Sequence, residues 1–180
     1  MLVRDRYFKK RAKQDGEVGI EIELEGERLL GNASLHKDTK NKWIITHDGS
    51  LRGESCELVL AKPLPRDEVS ISLYELDAHF KKVKAIINPS VRTGVHIHIN
   101  VQDLTMKQAF IFQLMWLLFE KPMVDYCGDE RVGNLFCLRS SDAETIIDAL
   151  HSAIVNDDFK ELHTDELRYS AMNPKALYEY

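Results

Sequence analysis

No Cys-x-x-Cys pair occurs in this chain, and its 180 residues hold three cysteines. An odd count without such spacing argues against a disulfide framework and for thiols kept reduced in a cytoplasm. Long hydrophobic runs are missing too. The most apolar stretch, 109–119, is interrupted by Gln113 and falls far short of the roughly 20 residues that span a bilayer, so no membrane partner is expected. The N-terminus lacks the apolar segment of a signal peptide. Its basic residues (Arg4, Arg6, Lys9, Lys10, Arg11, Lys13) make residues 1–16 a solvated, polar lead-in. Positive charge is in deficit: 24 Lys and Arg stand against 29 Asp and Glu, for a net charge of −5. A field of that sign does not favour nucleic-acid phosphates, and no nucleic-acid partner is expected. No internal repeat or low-complexity segment appears.

What is present is an ordinary globular composition, 44% hydrophobic and 29% charged, in a length that suits one domain with a real core. The most informative stretch is 17–25. Val18, Ile20, Ile22 and Leu24 alternate with Glu17, Gly19, Glu21, Glu23 and Glu25, so a strand here has one apolar face and one face of four carboxylates. Glu21 and Glu23, roughly 6.5–7 Å apart on that face, repel each other unless something positive sits over them. A divalent cation answers that need, since hard cations take carboxylate oxygens. The plain alternative is a solvated edge strand with surface glutamates.

Residues 26–42 read as a loop. A short strand over 42–46 and another over 56–60 form a hairpin, with His47-Asp-Gly-Ser50 as a turn in which Asp-Gly favours positive φ at the glycine. Pro63 and Pro65 end the second strand. Val69, Leu73, Leu76, Phe80, Val83 and Ile87 recur at helical spacing and predict a helix over 67–87 with one buried stripe. Residues 94–101 alternate again, with Val95, Ile97, Ile99 and Val101 as the apolar face and His96, His98 and Asn100 as the polar one. Thr105 and Gln108 form a capping box for a helix to about 124, apolar on nearly every side and expected to be the central buried one. Residues 125–140 read as a loop. Ser141 and Glu144 form a second capping box, for a helix to about 155, and a short helix is expected near 165–172. The mixture lacks a strict βαβ rhythm and predicts an α+β fold, an antiparallel sheet with helices packed on one face.

Glu-x-Glu on one strand and His-x-His on another offer a mixed oxygen and nitrogen site for Mg²⁺ or Mn²⁺, imidazole favouring Mn²⁺. Glu57, pointing away from Cys56, Leu58 and Leu60, reaches the same surface if its strand joins the sheet. The alternatives are surface glutamates, two histidines on an exposed strand and, for Arg131, Asn134 and Arg139, a loop with surface arginines. Cys127 and Cys137 read as small buried hydrophobes.

These pieces resemble, in order, the phage and bacterial amidoligases, carboxylate–amine ligases that share the fold of glutamine synthetase and glutamate–cysteine ligase. The matching segments are Gly19-Ile-Glu-Ile-Glu23, Trp43 through Asp48-Gly-Ser-Leu51, Glu57-Leu-Val, Gly94-Val-His-Ile-His-Ile-Asn100, Arg131-x-x-Asn134-x-x-Cys137 and Arg168-Tyr-x-x-x-Asn173. The resemblance implies a curved antiparallel sheet whose concave face is a catalytic trough. It implies ATP-dependent amide formation, in which a small-molecule or peptide carboxylate takes the γ-phosphoryl group and an amine displaces phosphate from the acyl phosphate. Two or more divalent cations (Mg²⁺ or Mn²⁺) screen such anionic reactants. Glu21, Glu23, Glu57 and His96 are then metal ligands, and His98, with Asn100 and Asn134, contacts the nucleotide. Arg131 and Arg139 stabilise the transferring phosphoryl group or grip the acid. Asp48 is assigned either to the amine or only to its turn, and Tyr169 and Asn173 to support. The resemblance also calls for a later strand bearing a metal-binding glutamate and an arginine. The sequence stops at Tyr180, so a C-terminal portion is expected to be lacking. Relatives of this fold often assemble through neighbouring subunits, so a homo-oligomer fits the resemblance, while the residues leave the oligomeric state open. Two other functions fit the same residues: a metal-dependent phosphoester hydrolase, and a non-catalytic domain that binds nucleotide or a protein partner.

Overall fold

The computed structural model describes Leu2 and residues 16–29, 34–134, 138–140, 146–156 and 170–173. The chain divides into two compact units, Lys13–Val101 and Met1–Ala12 with Gln102–Tyr180, where length alone leads one to expect a single domain.

The first unit is a five-stranded antiparallel sheet, as the alternating strands predict. Its strands are β1 (Val18–Glu27), β2 (Trp43–Thr46), β3 (Ser55–Leu60), β4 (Ile86–Ile87) and β5 (Gly94–Ile99). β1 lies at the centre, paired with β3 over Glu21–Glu25, with β5 over Val18–Glu23 and with β4 at Gly26 and Glu27. β2 adds outside β3 through the predicted hairpin. Two helices accompany the sheet, the short α1 (Leu35–Asp38) inside the predicted loop, and α2 (Arg66–Val83). Ile20 and Leu24 of β1, Trp43 of β2, Cys56, Leu58 and Leu60 of β3 and Leu76 of α2 form one buried cluster, which Val69 and Phe80 extend. Trp43 is fully buried, and its indole N–H donates to the Ser72 carbonyl at 3.3 Å.

α2 differs from its prediction at one end and in its stripe. Lys84 takes a left-handed conformation (φ 54°) that closes the helix, and Ile86 and Ile87 leave it to become β4. Gly26 permits that pairing, because a Cβ there would lie 2.0 Å from the Ile86 carbonyl oxygen. The buried positions are Ser72, Leu76 and His79, while Leu73 is exposed. His79 can sit in the stripe because a partner meets it. The His79 ring Nδ1 lies 2.9 Å from Asp38 Oδ2 at the end of α1, and Lys82 Nζ lies 2.9 Å from both Asp38 oxygens.

The second unit contains α3 (Met106–Tyr126), opened by the predicted capping box of Thr105 and Gln108, and α4 (Ile146–Asn156). α3 is not the buried central helix that its composition implies. Ala109, Gln113, Glu120 and Val124 are buried, whereas Ile111, Phe112, Leu114, Met115, Leu118, Phe119 and Met123 are exposed. Glu120 is held within the inner stripe. The Glu120 carboxylate accepts from the Ser140 backbone N–H and hydroxyl at 2.8 Å, and from the Trp116 indole at 3.1 Å. Leu138 forms a parallel bridge with Ser170, and residues 170–173 are not helical, while 165–169 of the short helix expected near 165–172 lie outside the described residues. Cys127 is exposed rather than buried, and Cys56 is buried. Cys137, Tyr169 and the second capping box lie outside the described residues. No helix among the described residues is long and apolar enough to cross a membrane.

Candidate metal centre on the polar face of the sheet

Register decides which polar side chains meet. Across β1 and β5, Glu21 stands opposite His96 and Gly19 opposite His98; across β1 and β3, Glu23 stands opposite Glu57. Opposed residues share a face, so Glu21, Glu23, Glu57, His96 and His98 project together, away from the buried cluster. Glu57 points as predicted, since its neighbours Cys56 and Leu58 are buried.

Glu21 sits between the two histidines. Its Oε2 lies 3.4 Å from His96 Nδ1 and its Oε1 lies 3.2 Å from His98 Nε2. Hydrogen bonds from these rings hold its carboxyl well below the usual carboxylate range, and the same contact raises the pKa of His96. Glu23 is in the opposite position. It is nearly buried, and burial pushes its pKa up, with the negative charges of Asp48, Glu57 and Glu21 adding to the rise and His96 at 3.7 Å opposing it.

The third carboxylate beside Glu23 comes from the β2–β3 loop. Ligand oxygens of Glu23, Asp48 and Glu57 all lie within 4.8 Å of one another. Asp48 does shape its turn, its Oδ1 accepting from the Ser50 N–H at 2.5 Å, and hydrogen bonds from Ser50 lower its pKa. The turn is therefore built on the aspartate side chain. The positive φ expected at Gly49 falls instead at Gly53 (67°). Thr46, opposite Glu57 in the β2–β3 register, donates its hydroxyl to Glu57 Oε2.

The outer two of the four alternating glutamates, Glu17 just before β1 and Glu25 within it, serve the backbone. Glu17 Oε2 accepts from the Arg66 N–H at 3.0 Å at the start of α2, and Glu25 Oε1 accepts from the Arg52 N–H at 2.7 Å. Of the four carboxylates in a row, the inner two carry the candidate chemistry. Asn100 follows β5, its side chain donating to the Gly16 carbonyl at 2.8 Å and its N–H to the Glu17 carbonyl at 2.8 Å.

The structure thus gathers Glu21, Glu23, Asp48, Glu57, His96 and His98 on one face. Arg131, Asn134 and Arg139 belong to the other unit. Arg131 ends a 3₁₀ turn (Asp129–Arg131), Asn134 is buried just after it, and Arg139 precedes Ser140, which Glu120 holds. Sequence reasoning missed Asp48 as a neighbour of Glu23, and missed Thr46. Both follow from the hairpin register, which the residue pattern of β2 and β3 does not fix.

The donor chemistry suits a hard divalent cation. Metal–oxygen distances of about 2.1 Å place octahedral ligand atoms about 3–4.2 Å apart, and the three carboxylates here lie within 4.8 Å of one another. Three carboxylates that raise the proton affinity of one of their number are relieved by a cation. Comparison with protein-family models, curated proteins and solved structures finds no match for this chain.

Proposed function

We propose that this chain is an ATP-dependent carboxylate–amine ligase that uses Mg²⁺ or Mn²⁺ and forms an amide bond through an acyl phosphate. The observation that carries the reading is the convergence of Glu23, Asp48 and Glu57 within 4.8 Å, with Glu21 and His96 beside them on the same sheet face. Glu23, Asp48 and Glu57 would hold a cation by oxygen alone, and Glu21 with His96 would offer a mixed pair. Divalent cations held there would screen the nucleotide against the acid substrate and align the reacting oxygens. His98, half-exposed beside Glu21, keeps one ring nitrogen within 3.2 Å of it. The glutamine synthetase-like sheet, the nucleotide contacts of His98, Asn100 and Asn134 and the roles of Arg131 and Arg139 enter the proposal through the motif resemblance alone. A small-molecule or peptide acid and an amine would be the substrates, with copies of the chain assembling.

The test has two stages. Mg²⁺ with ATP should raise the melting temperature of the wild type and not of Glu21→Gln. A ligand at a hundredfold excess over its Kd adds about 2.7 kcal/mol, which a melting curve resolves. ATP turnover should then require both an acid and an amine. Turnover unchanged in a Glu21→Gln, Glu23→Gln double variant would overturn the reading, and phosphate release from simple esters without an amine would replace it with hydrolysis.

A further inference from the structure

Three carboxylates within 4.8 Å repel one another, and one of them, Asp48, sits on a loop that could swing away. Something must hold the loop in. Arg52 is built to do so. Its guanidinium Nη1 faces three consecutive carbonyls of the loop, Gly49 at 3.2 Å, Ser50 at 3.1 Å and Leu51 at 3.0 Å. Its own N–H donates to Glu25 Oε1 at 2.7 Å, which ties the loop to β1 two residues from Glu23. Glu54 repeats the tie from the other side, its carbonyl accepting from the Gly26 N–H at 2.9 Å and its carboxylate from the Leu29 N–H at 2.6 Å. Just ahead of these anchors the Ser50 N–H fixes the Asp48 carboxylate, and Leu51 is buried.

We infer that Arg52 is a positioning residue for the cation site: it folds the β2–β3 loop over its side chain and so presents Asp48 to Glu23 and Glu57. The inference rests on the metal reading of this face. Among the described residues the Arg52 guanidinium contacts backbone carbonyls, not the carboxylate cluster. Its effect on a cation therefore has a sign that separates two roles. As a nearby positive charge it would oppose a cation, and its removal would tighten binding. As the clasp of the loop it favours a cation, and its removal weakens binding.

The experiment is a calorimetric titration of the whole chain with Mn²⁺ alone, at fixed pH and ionic strength. The proteins are wild type, Arg52→Ala, Arg52→Lys, Asp48→Asn and the Arg52→Ala, Asp48→Asn double variant. Residues that orient ligands change metal affinity by about 10–100-fold, and Arg52→Ala is expected to weaken Mn²⁺ binding within that range. Arg52→Lys, which keeps a cationic donor under the carbonyls, should lose only a few-fold, and serves as the test if the alanine variant does not fold. The double variant should bind no more weakly than Asp48→Asn, because the clasp acts through that carboxylate. Affinity unchanged or tightened in Arg52→Ala overturns the inference, as does an additive loss in the double variant. A wild type that binds no Mn²⁺ at millimolar concentration overturns it together with the metal reading. Wild-type binding that Arg52→Ala leaves intact overturns the positioning role alone.

Discussion

β1 and β5 read almost alike in sequence and lie side by side, yet they are buried very differently. Each alternates apolar with polar residues, and each turns its polar row to the same face of the sheet. On the other face, Ile20 and Leu24 of β1 are 4% and 8% exposed, while Val95, Ile97 and Ile99 of β5 are 60%, 63% and 54% exposed. β1 has partners on both edges and shares a cluster with β3 and with Leu76, Val69 and Phe80 of α2. β5 pairs with β1 alone among the described strands. Alternation tells which side chains share a face. Neighbours decide whether that face is covered.

The largest test of this contrast is a pair of truncations. Leu58, 1% exposed, packs on the β1 row, and Leu58→Ala should cost about 2–5 kcal/mol in urea unfolding. Ile97→Ala in β5 should cost no more than about 0.5 kcal/mol. Equal losses would break the comparison and mean that the β5 row is covered. A second pair stays within β1. Gly26→Ala forces a Cβ against the Ile86 carbonyl oxygen at 2.0 Å, and should cost about 1–3 kcal/mol. Gly19→Ala meets the His98 side chain, its Cβ nearest at 3.3 Å, and should cost less, by the same measurement. A reversed order would mean that β4 does not pair as described.

The features legible in sequence are those set by local period. Both alternating strands, the capping box at Thr105 and the pointing of Glu57 follow from spacing over a few residues. What period cannot supply is the partner across space. Leu73 fits a helical stripe, but His79, paired with Asp38, is the buried position and Leu73 is exposed. An apolar helix reads as central, yet α3 turns Glu120 inward, where Ser140 and Trp116 satisfy its carboxylate. In the candidate site, Glu21 with Glu23 and His96 with His98 are each visible as strand neighbours. Asp48 meets Glu23 only through a hairpin register and an aspartate-based turn, and neither leaves a periodic signal.

On the polar face the two strands divide the chemistry, and a neutral substitution in β1 sharpens that division. Glu23→Gln removes one of three crowded carboxylates. It should raise metal-free stability by up to about 1 kcal/mol, measured by urea unfolding in chelator. The same change should weaken Mn²⁺ binding at least about tenfold in calorimetry, since it removes an anionic ligand. A variant that is less stable without metal and binds Mn²⁺ as well as the wild type would remove Glu23 from the site.

The smallest effect expected is in the pH dependence, because His96 is half-exposed and solvent screens its contacts. His96 has a raised pKa in the folded chain, from its contact with Glu21, and Glu23 has a raised pKa from burial. Both groups hold protons in the native state that the unfolded chain has already released. Their contributions to stability are therefore complete below their unfolded pKa values and are lost as pH rises through the folded ones. Glu21 has a lowered pKa, so its contribution is present above the unfolded value and is lost only as pH falls well below it. Between pH 6 and 8.5 Glu21 is silent, and the metal-free advantage of wild type over His96→Gln should shrink as pH rises. A bound cation requires deprotonated ligands, so the stabilisation gained from excess Mg²⁺ should grow over the same interval. Melting temperatures of both proteins across that range, in chelator and in Mg²⁺, read the two trends. The same sign in both conditions would mean that the polar row shared by β1 and β5 binds protons and cations at separate places.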